Sequence, residues 1–475
     1  PPPPPPPPPP LFQAEDGIRD NGAGLVGSEM CIRDREQMNY NSFQTAWKLN
    51  HLISDRWAVS LMASLSSSKE REYIDLEGGY RLCDVDKRVD SDTFDQCIST
   101  RGIGTLYNYS RNQLDAKIID IRAQSDLELN SENTLIAGVQ YSGQEIDDVL
   151  DEYNFTDSAG YVQTSPVAYA QNNTFANIIA GFITHSIDKS NLNLSYGFRI
   201  NYNTLNEDLL ISPRLEFSLD LGKKTRWKVG TGLYQQQPFY REYRDLLGEV
   251  NTNVKAQSSF HFITGIDYTF DWWHRPFTFT MDGYYKYLWN QIPYTYENLR
   301  IRYYPDQSAV AYATGFEARL GGEFIPGTES WFSFGIMSTK ERVDGFDDDW
   351  VRRPTDQRFN LAILFEDHLP NDPSFRVNLS FVYGSGLPFG PPTDLTRRTA
   401  FTGDDYLRLD IGFSKVFTFK DKFFETLRIG AYVNNLLDAK NAVTYTWITD
   451  FNDNQFAVPN NLTGRLFNAS ISTTF

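Results

Sequence analysis

From about Met38 to the C-terminus, apolar and polar residues alternate with a period of two. The stretch Leu192-Asn193-Leu194-Ser195-Tyr196-Gly197-Phe198-Arg199-Ile200 alternates without a break. Neighbouring side chains of a strand point to opposite faces, so this is a strand with one apolar side. Leu215, Phe217, Leu219 and Leu221 alternate in the same way with Glu216, Ser218 and Asp220. So do Phe277, Phe279 and Met281 with Thr278, Thr280 and Asp282, and Leu407, Leu409, Ile411 and Phe413 with Arg408, Asp410, Gly412 and Ser414.

A β-sandwich also alternates, so three further features choose between architectures. The strands often reach about ten residues, against about five or six in a soluble sheet. Their polar face is rich in charged and small residues, as a hydrated lumen wall is. The connections alternate between short and long. Short turns fall at Ser54-Asp55-Arg56, Asn130-Ser131-Glu132-Asn133, Asp188-Lys189-Ser190-Asn191, Gly222-Lys223-Lys224-Thr225, Pro326-Gly327-Thr328-Glu329 and Pro370-Asn371-Asp372-Pro373. These are clusters of turn-forming residues. Longer polar connections lie between them, at 75–112, 147–173, 236–254 and 387–404. One end of the molecule therefore carries turns and the other loops, the asymmetry of an outer-membrane barrel. The pattern predicts an all-β, antiparallel transmembrane β-barrel.

Composition agrees. No apolar run approaches the roughly 20 residues of a spanning helix, whereas a barrel strand needs only about 9–11 with every second one facing lipid. Aromatic residues make up 15% of the chain, enough for girdles at both membrane interfaces. Trp272 and Trp273 at a turn, and Tyr284, Tyr285, Tyr287 and Trp289 near the opposite end, read as those girdles. The net charge of -17 excludes nucleic acid as a partner and is assigned to acidic surface loops. The five His form no helical pair of zinc-ligand type, and neither a phosphate loop nor a nucleophile elbow is present. No enzyme is expected, and no catalytic, cofactor-binding or metal-binding residue is assigned.

The head of the chain is different. Pro1 to Pro10 is a homopolymer, followed by Gln13-Ala14-Glu15-Asp16-Gly17-Ile18-Arg19-Asp20 and Leu25-Val26-Gly27-Ser28-Glu29-Met30-Cys31-Ile32-Arg33-Asp34-Arg35. Both strings resemble translated sequencing-adapter oligonucleotides. Residues 1–36 are therefore read as non-native and disordered, and residues 37–475 as barrel.

The C-terminal third carries family strings. Val433-Asn434-Asn435-Leu436-Leu437-Asp438 resembles the penultimate-strand motif of TonB-dependent receptors, outer-membrane proteins of Gram-negative bacteria. Val458 to Arg465, leading into a last strand that ends at Phe475, resembles their closing strand. Ser212-Pro213-Arg214 and Arg353-Pro354-Thr355-Asp356-Gln357-Arg358 resemble interior strand starts in receptors of the Bacteroidota. The resemblance implies a barrel of about 22 strands around a plug. It implies energised uptake of a siderophore, cobalamin, glycan or peptide. The expected partners are outer-membrane lipid, the nutrient, the TonB complex through an N-terminal segment, and the barrel-assembly machinery through the strand ending at Phe475.

About seventeen strands are legible, an odd number where single-chain bacterial barrels have even ones. The chain is accordingly read as an incomplete, C-terminal part of the barrel, with plug and first strands missing. A passive porin-like channel and a non-transporting surface barrel such as an adhesin remain alternatives.

Cys83 and Cys97 share one long connection expected outside the cell, where a disulfide is expected. Tyr294, Tyr296, Tyr303 and Tyr304 are candidate ligand-facing loop aromatics, with loop packing the competing reading. The acidic runs Asp344-Gly345-Phe346-Asp347-Asp348-Asp349 and Asp147-Asp148-Val149-Leu150-Asp151-Glu152 read as solvated loop in preference to a calcium site.

Overall fold

The computed structural model describes residues 26–475 apart from 87, 89, 94–95, 159–160, 165–166, 298–299, 370–371, 393, 420–424, 450–454 and 475. The poly-proline head, Pro370 and Asn371 of the expected turn, and the terminal Phe475 lie outside the described residues.

Long strands follow one another along the chain. They are β1 (Val26–Ser54), β2 (Trp57–Val85), β3 (Cys97–Asn130), β4 (Asn133–Ser158), β5 (Ala168–Lys189) and β6 (Leu192–Asn203). Next come β7 (Leu209–Asp220), β8 (Thr225–Gln236), β9 (Gln257–Trp272), β10 (Arg275–Gln291), β11 (Ala309–Ile325) and β12 (Thr328–Val343). The last are β13 (Phe359–Leu369), β14 (Asp372–Gly384), β15 (Tyr406–Thr418), β16 (Thr426–Asn434) and β17 (Leu466–Thr474). Each pairs antiparallel with the next. Two short strands, Tyr161–Thr164 and Val351–Arg352, complete a 19-stranded sheet. The expected tight turns fall between successive strands at one end, and Gly327 takes φ +79° in one of them, a conformation that favours glycine.

The two faces separate as the alternation requires. In β6, Tyr196, Phe198, Ile200 and Tyr202 are exposed, and they point away from the lumen. Ser195 and Arg199 share the other face. On the outward face of β2–β4 the apolar residues stop along one row. Leu61, Leu65, Ile119, Ile121, Val139 and Tyr141 are exposed on one side of it. The row itself holds Ser67 opposite Lys117 and Lys117 opposite Glu145. Lys117 Nζ pairs with Glu145 at 3.3 Å, and beyond it Arg71 pairs with Asp115. Charge replaces hydrocarbon along one line across three strands, which marks the outer limit of an apolar band.

The strands run on past this line. Residues 75–112 and 147–173, expected as loops, are largely strand: β2 reaches Val85, β3 begins at Cys97, β4 reaches Ser158 and β5 begins at Ala168. Their polar composition misled, because above the membrane a strand no longer needs an apolar face, while its backbone pairing is unchanged. The start of β1 also differs from expectation. Val26 pairs with Asp84 and Glu36 with Ile74, so residues 26–36, expected to be disordered, extend the first hairpin. An edge strand offers a row of unpaired N–H and C=O groups, and ladder pairing does not depend on side-chain sequence.

Buried apolar clusters sit under the loops rather than in the middle of the sheet. One is Tyr243, Val254 and Ile292; another is Ala309, Val343 and Leu395. Among the described residues β1 pairs only with β2, and β17 only with β16. Sixteen connections separate β1 from β17, so these two edges run in the same direction and cannot form an antiparallel pair with each other.

Candidate functional site

At the loop end, four long connections fold inward and fasten to the lumen face, the last two together. The first joins β8 to β9. It opens with a single 3-10 turn, Tyr240–Glu242, and crosses to β2 and β4. Arg241 pairs with Glu70 at 2.6 Å and Arg244 with Asp148 at 2.7 Å. Tyr240 Oη donates to Asp148 at 3.1 Å. Burial first, and then the Asp148 charge, push the Tyr240 phenol above its ordinary range, so it stays a donor. Gly248 closes the contact with φ +93°. A Cβ there would lie 2.5 Å from Ala170 Cβ and 3.1 Å from Leu150 Cδ2, so only glycine lets the loop lie this close.

The second connection, between β10 and β11, forms a hairpin of Tyr294–Glu297 with Arg300–Tyr303. It reaches across to β2, β3 and β4. Arg300 pairs with Glu72 at 2.9 Å and with Glu152 at 3.0 Å, and Arg302 pairs with Glu152 at 2.7 Å. Asn112 Nδ2 donates to both Glu72 and Glu152, at 2.8 and 2.6 Å. Burial alone would raise the Glu152 carboxyl. Arg302 and Arg300 outweigh it and hold the group below its ordinary range. Because β10 and β2 are far apart along the sheet, these pairs span the lumen.

The third element is built on the strand-start motif. Asp356 is fully buried and accepts from the Thr339 N–H at 2.7 Å, Arg352 Nε at 2.6 Å and Arg358 Nε at 2.8 Å. Arg353 pairs with Glu341 at 3.1 Å. Arg398, from the connection between β14 and β15, reaches Glu341 at 2.8 Å and Asp347 at 2.6 Å with only 1% of its side chain exposed. Charge-assisted bonds of this kind fix geometry as well as position.

The structure sorts the expected residues. Tyr304 packs against the Ala309, Val343 and Leu395 cluster, and Tyr303 against Tyr243, Val254 and Ile292. Tyr294 lies against Tyr296 and Tyr303 at ring-centroid distances of 5.6 and 6.1 Å, and burial raises its phenol. Only Tyr296 is an exposed ring, at 40%. The four tyrosines come together on one hairpin, and loop packing accounts for most of their surface.

Cys83 is buried and Cys97 partly buried. Bulges set Cys97 opposite Val85 and Cys83 opposite Thr100, so the two sulfurs do not face each other across the ladder. The acidic run at 147–152 is strand, whereas the run at 344–349 is loop and mostly exposed apart from Asp347. Asp148 and Glu152 lie on one face of β4 and bind Arg244, Arg300 and Arg302, while Asp347 binds Arg398. Among the described residues no group of carboxylates, His or Cys is arranged to hold a metal. Tyr284, grouped with the girdle by sequence, faces the lumen under Lys286, whose Nζ is 5.1 Å from its ring centroid. Tyr285 and Tyr287 face outward and are exposed. At the opposite end Trp272 and Trp273 stack at 4.3 Å.

Glu72, Arg300, Arg302 and Arg398 were not singled out by sequence, and Glu152 was named only within an acidic run read as loop. The period-two spacing of Asp148, Leu150 and Glu152 was the available signal, since it puts both acids on one face.

The family description "TonB dependent receptor-like, beta-barrel" matches residues 9–436. No curated protein sequence matches. Among solved structures, the copper transporter OprC is 13% identical with a TM-score of 0.55, over 90% of this chain and 71% of that one. The siderophore receptor PirA from Acinetobacter baumannii is 12% identical with a TM-score of 0.53, over 92% and 71%. The ferripyoverdine receptor of the outer membrane of Pseudomonas aeruginosa is 12% identical with a TM-score of 0.52, over 93% and 67%. At such identities the likeness is one of fold.

Proposed function

Given that the chain belongs to the TonB-dependent receptor-like β-barrel family, whose members are outer-membrane transporters and not enzymes, we propose that it forms the barrel wall of a receptor for energised uptake of a scarce nutrient. The nutrient is a siderophore, cobalamin, glycan or peptide. One observation carries the reading: the hairpin Tyr294–Tyr303 is latched across the lumen by Arg300 and Arg302 on Glu72 and Glu152. A diffusion pore works best with an open lumen. A lumen crossed by ion-paired loops suits a receptor that holds its ligand and releases it when driven. On this reading the apolar band meets lipid, the assembly machinery reads the final strand, and the TonB complex engages a segment N-terminal to the barrel.

The test is accumulation of labelled ferric siderophore, cobalamin, oligosaccharide or peptide by cells carrying the protein in their outer membrane. Uptake that stops with an uncoupler is the expected result. Uptake that survives the uncoupler, and scales with concentration without saturating, would favour the passive channel.

A further inference from the structure

Below the latched loops the lumen wall carries a different kind of arginine. At the mouth, Arg241, Arg244, Arg300, Arg302, Arg352, Arg353, Arg358 and Arg398 all meet carboxylates within 4.0 Å. On the inner faces of β3, β6 and β7 the arginines are held by neutral partners instead. Arg122 donates to Gln124 Oε1 at 2.7 Å. Arg199 donates to Asn201 Oδ1 at 2.8 Å and Gln140 Oε1 at 3.0 Å. The Arg214 guanidinium lies over Tyr234 at 4.4 Å.

These groups form a row. In ladder register Phe182 stands opposite Arg199, and Arg199 opposite Ser212. Two positions on, Gly197 stands opposite Arg214, Arg214 opposite Gly232, Gly232 opposite His261, and His261 opposite Lys286. Tyr234 stacks on His261 at 4.3 Å and joins Arg214 to the His261–Lys286 pair.

The row is built rather than incidental. Phe182 lies flat on the wall because Gly138 faces it across the ladder, where a Cβ would come within 2.5 Å of its ring. That ring carries Arg122 at 5.0 Å and Arg199 at 5.9 Å, so one aromatic ring orients two guanidinium groups. Like charges repel, and amide oxygens and ring faces do not cancel their charge. Asp120 and Glu216, two residues along their strands from Arg122 and Arg214 and on the same face, form no ion pair with the row among the described residues. In a chain of net charge -17, a lumen-facing line of cations with no ion-paired carboxylate among the described residues attracts a ligand of opposite charge.

We propose that Arg122, Arg199 and Arg214, extended by His261 and Lys286, form a binding surface on the lumen wall for a multivalent anion, a ligand bearing several carboxylate or phosphate groups. Planar guanidinium forks suit both groups, which accept two parallel hydrogen bonds each. The assignment rests on the receptor reading for why a ligand enters the lumen. Binding is measured on purified protein with no motor and no gradient, so either idea can fail without the other.

The experiment titrates citrate and, separately, inorganic tripolyphosphate into the full chain in detergent micelles at low ionic strength, followed by calorimetry. Saturable binding of at least one is expected, and the stronger of the two identifies the preferred group. Arg199→Gln and Arg214→Gln should each weaken it at least tenfold. Arg199→Lys, which keeps the charge and loses the fork, should fall between. Arg397→Gln, at an exposed ion pair in a mouth loop, should leave binding unchanged. Far-UV circular dichroism confirms the fold of each variant. Saturable binding of neither anion, or equal weakening by Arg397→Gln and Arg214→Gln, overturns the proposal.

Discussion

Single residues test the face assignment and the latch. In β6 the outward set runs Leu192, Leu194, Tyr196, Phe198, Ile200 and Tyr202, so the middle of the span is Phe198, while Leu194 sits close to the turn. Phe198→Arg should cost about 2–4 kcal/mol in a bilayer, Leu194→Arg less, and the inward Ser195→Arg least. Urea unfolding in lipid vesicles measures all three. Equal losses at 195 and 198 would mean that the faces are reversed.

The latch turns on Glu152. Glu152→Gln leaves Arg300 and Arg302 facing a neutral amide, and breaking a largely buried pair costs about 3 kcal/mol. Hydrogen exchange should show the loss as opening of the hairpin Tyr294–Tyr303, with the strands unchanged. The pH dependence follows from the same group. Its folded-state pKa is lowered. The contribution is therefore complete above the unfolded carboxylate value, near pH 4.5, and is lost as pH falls through the folded value. Hairpin protection should be flat from neutral pH down to about pH 5 and decline below it. A decline on the alkaline side would contradict the assignment.

At the scale of elements, alternation and turn chemistry were legible because membrane strands must satisfy lipid on one side and water on the other. Where that constraint ends, legibility ended too. The hairpins above Lys117 and Glu145 read as loops, since their side chains are polar on both faces. The bulged hairpin of β2 and β3 sets Cys83 and Cys97 out of register, which their spacing in the chain does not reveal. Maleimide labelling of unreduced, denatured protein, mapped by peptide mass, should modify both. Protection of the two together would show that the hairpin shifts register to join them. The loop that carries Gly248 makes a parallel case: Gly248→Ala should loosen docking of the β8–β9 connection by about 1–3 kcal/mol, read as faster proteolysis within 237–256. An unchanged cleavage rate would mean that Ala170 and Leu150 give way.

At the scale of the whole molecule, the sheet has, among the described residues, two edges, β1 and β17, that run the same way and share no ladder. Unpaired backbone groups are costly in hydrocarbon, and exposed edges recruit other strands. Light scattering of the detergent-solubilised chain should show association that rises with concentration. A monodisperse monomer would show that the edges find a closure of their own.

The architecture could be read before any coordinate: period two, turns against loops, seventeen long strands, and a face for lipid. Each is a local property, because a strand's side chains alternate whatever lies beside it. The mouth could not be read in this way. Glu72, Glu152, Arg300 and Arg302 become one latch, and Arg122, Arg199 and Arg214 one cationic row, only when the sheet curves and its register is set. Charges distant in the chain are then brought to one lumen. Whether an arginine meets a carboxylate or an amide depends on that curvature and register, and the order of residues along the chain does not specify it.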